Sequence, residues 1–282
     1  METPDVITTD RARRAVLAVH RLHEDVARYF RGCGPEPING SVAANDMLAI
    51  SDAEKVRMVW ITTALLIEAA ADHVMAIVKT LTEPVQTIAP WASARAVFEC
   101  SALVCWLADT SVAASERIGR NIAWRCKGLR EQRNYADALP ELQFVQKAEE
   151  MIQRRQKEAG NLGCSIVPVP SFTDLVGTQL HMEAEYRLFS SLVHPHNWAL
   201  QQVAFQRVMV SDTDGQTEDP GPTPLSYLEK AMSPEVMLYL CLRVAKPFVR
   251  AISAHCGLLG HDVGDLTDAL RPAWDELHAS DS

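Results

Sequence analysis

The chain has 282 residues, 48% hydrophobic and 22% charged, which reads as a folded globular protein of one or two domains. At this length roughly 70–75% of the unfolded surface can be buried, so a core needs neither metal nor disulfide. The net charge of −9 weighs against a dedicated nucleic-acid coat, and seven cysteines without a Cys-x-x-Cys pair weigh against a disulfide framework or ribbon-type zinc site. Collagenous, disordered, secreted and membrane-spanning classes are excluded on the same grounds.

Met1 to Asp10 carries acids and no apolar run, so it does not read as a secretory signal. Thr9–Arg31 spaces Val16, Val19, Leu22, Val26 and Phe30 by three and four, the amphipathic-helix pattern, and Gly32, Gly34, Pro35, Pro37 and Gly40 end it. Ser51 and Glu54 resemble a capping box opening a long helix to about Glu83, before Pro84. A third helix is predicted from near Pro90 to about Asp109, a fourth over Ser111–Ala138 and a fifth over Pro140–Ala159. Beyond Pro168 and Pro170, shorter helices are expected at Ser171–Leu180 and Met182–Val193, the latter stopped by Pro195. Trp198–Val210 fits a helix or a strand, and Ser211–Pro224 reads as a surface loop. Ser233–Leu259 is a long apolar helix with a break or bend expected at Pro247, and Thr267–Ala279 closes the chain.

The expected fold is an all-α multi-helix bundle in one domain over residues 1–282. Its core is expected at 51–210, with helical additions at 9–31 and 233–279. The most apolar stretches, Met58–Ala71 and Val97–Ala108, contain Glu68 and Glu99 and fall short of the roughly 20 apolar residues of a spanning helix. No membrane is therefore expected, and a cytoplasmic protein is the simplest reading.

Several motifs are missing from the sequence. It has no Glu-x-x-His pair of di-iron bundles, Gly-x-Ser-x-Gly elbow, Walker loop, dinucleotide-binding Gly-x-Gly-x-x-Gly or aspartate-rich metal motif of terpene cyclases. No cofactor is expected.

Two helical segments carry candidate chemistry. In Trp91–Trp106, helical geometry puts Arg95, Glu99, Ala102 and Trp106 on one face of an otherwise apolar helix. An Arg–Glu pair inside a bundle either fixes helix register or serves a polar pocket. In Glu183–His196, Arg187, Ser190, Ser191, His194 and Glu183 share a face, opposite Phe189, Leu192 and Val193. Histidine exchanges a proton near neutral pH, and arginine holds developing negative charge, so this face is either solvated surface or an acid–base site.

The order Arg-x-x-x-Glu on one helix, then Tyr186-Arg187-x-x-Ser190-x-x-x-His194-Pro195, resembles a family of uncharacterised bacterial helical proteins, itself similar to the HEPN superfamily. HEPN ribonucleases carry Arg, four to six residues, then His on one helix; Arg187 and His194 match with six between, although Leu188 stands where those enzymes have a polar residue. The resemblance implies a homodimer in toxin or defence biology, with Arg187 and His194 acting without metal on an RNA phosphodiester. A second expectation is a small-molecule enzyme for an anionic or carboxylate ligand. There Arg95, Glu99, Tyr186 and His194 line one pocket, Trp91 and Trp106 wall it, His196 lies beside it, and Glu99 or His194 is the base. A third is a non-catalytic binding or assembly module.

His20 with His23, and His194 with His196, offer two imidazoles each but no further ligands nearby, so no metal is assigned. His73 reads as a core histidine, and Arg57, Glu68, Asp72 and Lys79 as a thin solvated stripe. Arg117, Arg120, Arg125, Lys127, Arg130 and Arg133, with Arg11, Arg13, Arg14, Arg21, Arg28 and Arg31, form two basic helices whose default reading is a solvated face and whose alternative is a track for phosphates.

Overall fold

The structure is a computed structural model that describes residues 9–34, 36–82, 85–137, 142–194, 196, 199–200, 205–209, 226–230 and 232–278. Ten α-helices run through the described residues in chain order. The first five are α1 (Thr9–Gly32), α2 (Val42–Ala49), α3 (Ala53–Leu81), α4 (Ala89–Leu107) and α5 (Ala114–Asp137). Then come α6 (Leu142–Asn161), α7 (Phe172–Leu175), a π-helical turn Val176–Leu180 and α8 (Glu183–Val193). A hairpin of β1 (Phe205–Met209) and β2 (Ser226–Lys230) precedes α9 (Pro234–Leu259) and α10 (Val263–His278). The all-α bundle is thus what the molecule is built on.

The antiparallel hairpin, with Phe205 opposite Lys230, resolves the helix-or-strand ambiguity at 205–209 in favour of strand. Valine and phenylalanine content suits a pleated ribbon, and its second strand carries no comparable signal in the sequence. The expected loop at Ser211–Pro224 lies outside the described residues.

Three local features differ from the sequence reading or narrow it. The long third helix is capped by Asp52, whose side chain accepts from the Lys55 N–H, and not by Ser51. Helix α2 was not anticipated; Ser41 caps it by accepting from the Ala44 N–H at 3.1 Å. No break occurs at Pro247, because α9 runs unbroken through it. At the end of α9, Gly260 takes the left-handed conformation (φ 80°), which an L side chain rarely adopts. A Cβ there would also press on Ser41.

One contiguous apolar cluster draws on both ends of the chain. It joins Val19 and Leu22 of α1, Ile77 of α3, Phe98 of α4, Phe189 of α8, Val244 and Phe248 of α9 and Leu270 of α10. A second cluster gathers α2, the start of α3, α5 and α6 around Trp60, Ile118, Ile122 and Cys126. Helix α4 is buried on nearly every side, as its sequence implies.

Helix α3 departs from the sequence reading. Over its best window it reaches a mean hydropathy of 1.6, so by length and composition it is long and apolar enough to cross a membrane; 39% of that window is buried within the protein. Val59, Ile67, Val74 and Ile77 face the core, while Glu68 and Asp72 are exposed, the latter pair as expected of a solvated stripe. His73 is half-buried rather than a core residue.

The basic face expected over Ser111–Ala138, now α5, is corrected at two of its six positions, while Arg130 is exposed and Arg125, Lys127 and Arg133 are partly so. Arg117 is 3% exposed and Arg120 is buried. Arg117 grips both carboxylate oxygens of Asp46 at 2.7 and 2.6 Å. Arg120 pairs with Glu116 at 2.6 Å and donates to the Trp106 carbonyl at 2.7 Å. Neither is a solvated cation free to meet a phosphate. On α1, Arg28 is spent on Asp25 at 2.8 Å and Arg21 pairs with Glu276 of α10.

Candidate acid–base site between α4 and α8

Helix α4 begins with Pro90 in its first turn, and Trp91 anchors that turn by donating Nε1–H to the Thr87 carbonyl at 2.9 Å. Helix α8 begins with Glu183 and Glu185 at its positive end. Its apolar side locks onto α4 through Phe189, whose ring lies 5.1 Å from Phe98 and 5.4 Å from Trp91. Aromatic contacts of this kind fix both the separation and the rotation of the two helices. That rotation turns Tyr186 and His194 towards Arg95 and Glu99.

The four side chains form one hydrogen-bonded chain. Arg95 donates Nε–H to Glu99 Oε1 at 2.8 Å, within the helix at i, i+4. Tyr186 donates its hydroxyl to the same oxygen at 2.7 Å. Arg95 Nη1 lies 2.8 Å from His194 Nε2, and the guanidinium carbon sits 5.7 Å from the centre of the Tyr186 ring. A guanidinium only donates, so His194 Nε2 is the acceptor; this defines a neutral imidazole with its proton on Nδ1. Arg95 is 26% and Glu99 23% exposed, so the cluster is open to solvent along one side.

Local sequence explains where His194 sits. It is the C-cap of α8, in extended conformation, and its N–H still bonds the Ser190 carbonyl at 2.9 Å. A residue before proline is pushed out of the helical region, so Pro195 in the sequence frees this side chain from the helix face. Burial and the bond to Glu99 both raise the Tyr186 pKa above the ordinary phenol value, against the opposing pull of Arg95. Burial by itself would lower the pKa of Arg95, but its bonds to Tyr186 and Glu99 prevail and raise it. Both groups therefore keep their protons at neutral pH.

Other expected site residues lie elsewhere. Arg187 donates to Glu183 at 2.8 Å and is 67% exposed; no bond joins it to His194 among those described. Ser190 is half-buried and contributes its backbone carbonyl to His194; Ser191 donates its hydroxyl back to the Arg187 carbonyl at 2.8 Å. His196 is exposed, its N–H bonded to the Ser191 carbonyl at 3.1 Å. Trp106 is not a wall of this site: it packs under Arg120, 5.2 Å from the guanidinium, three turns along α4 from Arg95. Trp91 is fully buried in the aromatic core.

Of the histidine pairs, His20 reaches Glu24 at 3.8 Å, and His23 Nδ1 is buried without a partner. Burial first, and then the neighbouring His20, lower the His23 pKa. Among the described residues no three His, Cys, Asp or Glu come together in a group fit to hold a metal ion. One buried polar pair has no counterpart in the sequence patterns: Thr63 Oγ1 of α3 and His255 Nδ1 of α9, 2.8 Å apart. A lone histidine within an apolar helical run was the available signal. No protein family, no curated protein and no solved structure matches this chain.

Proposed function

We propose that the protein is an acid–base enzyme for a small anionic molecule bearing a phosphate or carboxylate, with Arg95, Glu99, Tyr186 and His194 as its working residues. The observation that carries this reading is the 2.8 Å contact between Arg95 Nη1 and His194 Nε2, continued through Glu99 to Tyr186. An arginine fork that is only a quarter exposed, oriented by a carboxylate, suits a planar anion. When the anion takes the Nη1 donor, His194 Nε2 is released. Its lone pair can then accept a proton from a substrate hydroxyl or water, the task of a general base. Tyr186, kept protonated, is a hydrogen-bond donor that stabilises charge on Glu99 and holds its orientation.

A ribonuclease of HEPN type, homodimeric as that resemblance implies, is the second reading. It is favoured by the exposure of both Arg187 on α8 and His194 at its C-terminal end, within reach of a macromolecular phosphodiester. Against it stand the Glu183 partner that occupies Arg187 and the burial of Arg117 and Arg120.

The test is binding of inorganic phosphate by calorimetry, with turnover of phosphomonoesters, carboxylate esters and single-stranded RNA by the purified chain. Phosphate binding that is lost in Arg95→Met and kept in Arg187→Ala supports the small-anion enzyme, as does turnover lost in His194→Ala. RNA cleavage abolished by Arg187→Ala transfers the assignment to the ribonuclease. Absence of both phosphate binding and turnover overturns the first reading.

A further inference from the structure

A second site, remote in composition from the α4–α8 cluster, lies where the C-terminal ends of α1 and α9 meet the outer face of α3. A cleft of about 370 Å³ opens there, within the range that small-molecule sites occupy. Its walls are largely apolar and aromatic: Phe30, Trp60, Ile61, Leu65 and Leu259. Leu65, on the same wall, is 66% exposed.

His255, 3% exposed, is the least exposed of the titratable residues lining this cleft. Its protonation state follows from the bonds around it. Thr63, fully buried, lies with Oγ1 2.9 Å from the Trp60 carbonyl and 2.8 Å from His255 Nδ1. A carbonyl only accepts, so the single hydroxyl proton of Thr63 goes to Trp60. Thr63 Oγ1 is then the acceptor for His255, and Nδ1 carries the ring proton. The one side-chain hydrogen bond described for His255 is at Nδ1, which leaves Nε2 as a lone-pair acceptor. Burial, reinforced by the neighbouring His261, pushes the His255 pKa down to about 4, so the ring is neutral at pH 7. The other titratable groups on the cleft are Glu68, Cys33 and His261. The site therefore offers an acceptor at its floor, and Glu68 adds negative charge at its edge.

We propose that this cleft binds a small aromatic molecule carrying one hydroxyl or N–H group, stacked against Phe30 and Trp60 with its donor hydrogen-bonded to His255 Nε2. Anions are excluded, because a lone pair and a carboxylate both repel them. The apolar lining calls for a hydrophobic body, and a donor is required because covering Nε2 with a ligand that has none leaves the lone pair unsatisfied.

Calorimetry on the full chain with phenol, toluene and benzoate tests this. Phenol is expected to bind saturably and about three- to tenfold more tightly than toluene, the span one net hydrogen bond supplies, with benzoate not binding. His255→Phe should erase the preference for phenol, and Ala64→Trp, filling the cleft from its half-buried wall, should abolish binding of both. If either variant fails to fold, the unsubstituted chain still decides. Imidazole nitrogen resonances must report Nε2 of His255 as unprotonated, and that resonance must shift on adding phenol. Equal binding of phenol and toluene, no phenol binding, or a proton on Nε2 in the free protein overturns the proposal.

Discussion

Two arginine–carboxylate pairs in this molecule share their chemistry and differ in what surrounds them. Arg117 and Asp46 are 3% and 13% exposed, and the guanidinium is completed by the carbonyl of Asp109 at 2.9 Å and that of Val112. It ties α2 to α5 and to the turn after α4, and each of its three side-chain nitrogens donates to a protein oxygen. Arg95 and Glu99 are about a quarter exposed, and one of the Arg95 donors ends on a histidine at the molecular surface. A buried pair closed on all sides is a structural fixture, because opening it strands a charge in low dielectric. A pair open on one side, with a titratable group as its last link, can exchange that link for a ligand.

The largest effect is expected from breaking the closed pair. Arg117→Ala should cost about 3–5 kcal/mol of unfolding free energy, read by urea denaturation, because Asp46 is left buried without its cation. The double replacement Arg117→Met with Asp46→Leu should recover a large part of it. A loss below about 1 kcal/mol in the single variant would show the pair to be dispensable.

The histidines extend the contrast, His255 being buried where His194 is exposed. His255 has its pKa lowered from 6.5 to about 4 by burial and then by His261, so the unfolded chain takes up this proton first as pH falls. Stability from this group is complete above pH 6.5 and is lost between there and pH 4, about 3 kcal/mol in all. His255→Phe should flatten the stability profile across that window. An unchanged slope would contradict the assignment.

Smaller effects are expected at the open pair. Tyr186→Phe takes one donor from Glu99 and should cost about 1–2 kcal/mol, while lowering turnover on any anionic substrate found. Arg187→Ala should change stability by no more than about 0.5 kcal/mol, since the residue is 67% exposed and its partner Glu183 is 49% exposed. A loss comparable to that of Arg117→Ala would erase the distinction between the two kinds of site.

Much of the fold is legible in the sequence because helices declare themselves locally. The spacing of Val16, Val19, Leu22 and Val26 marks α1, Pro90 marks the start of α4, and Pro195 marks the end of α8. Helix α2 escapes because its eight residues are too few to display a period, and its Ser41 cap is inconspicuous beside Gly40. The candidate site is legible only in halves. Arg95 and Glu99 announce themselves as an i, i+4 pair on an apolar helix, and Tyr186 and His194 as polar positions on α8. Nothing local distinguishes Arg187, which turns to Glu183, from Arg95, which turns to His194. Nor does the pattern of α5 separate Arg117, which is buried on Asp46, from Arg130, which is exposed.

Composition and periodicity by themselves determined an acidic, disulfide-free helical bundle and the residue types able to do acid–base chemistry. Tertiary structure alone decided which of those residues meet. Phe189 wedged against Phe98 and Trp91 sets the rotation of α8 on α4, and with it the link from Arg95 to His194 across 99 residues of sequence. Thr63 and His255 meet across 192. Helix formation depends on neighbours three and four residues away, whereas these contacts depend on how side-chain volumes interlock between helices, and no local pattern encodes that.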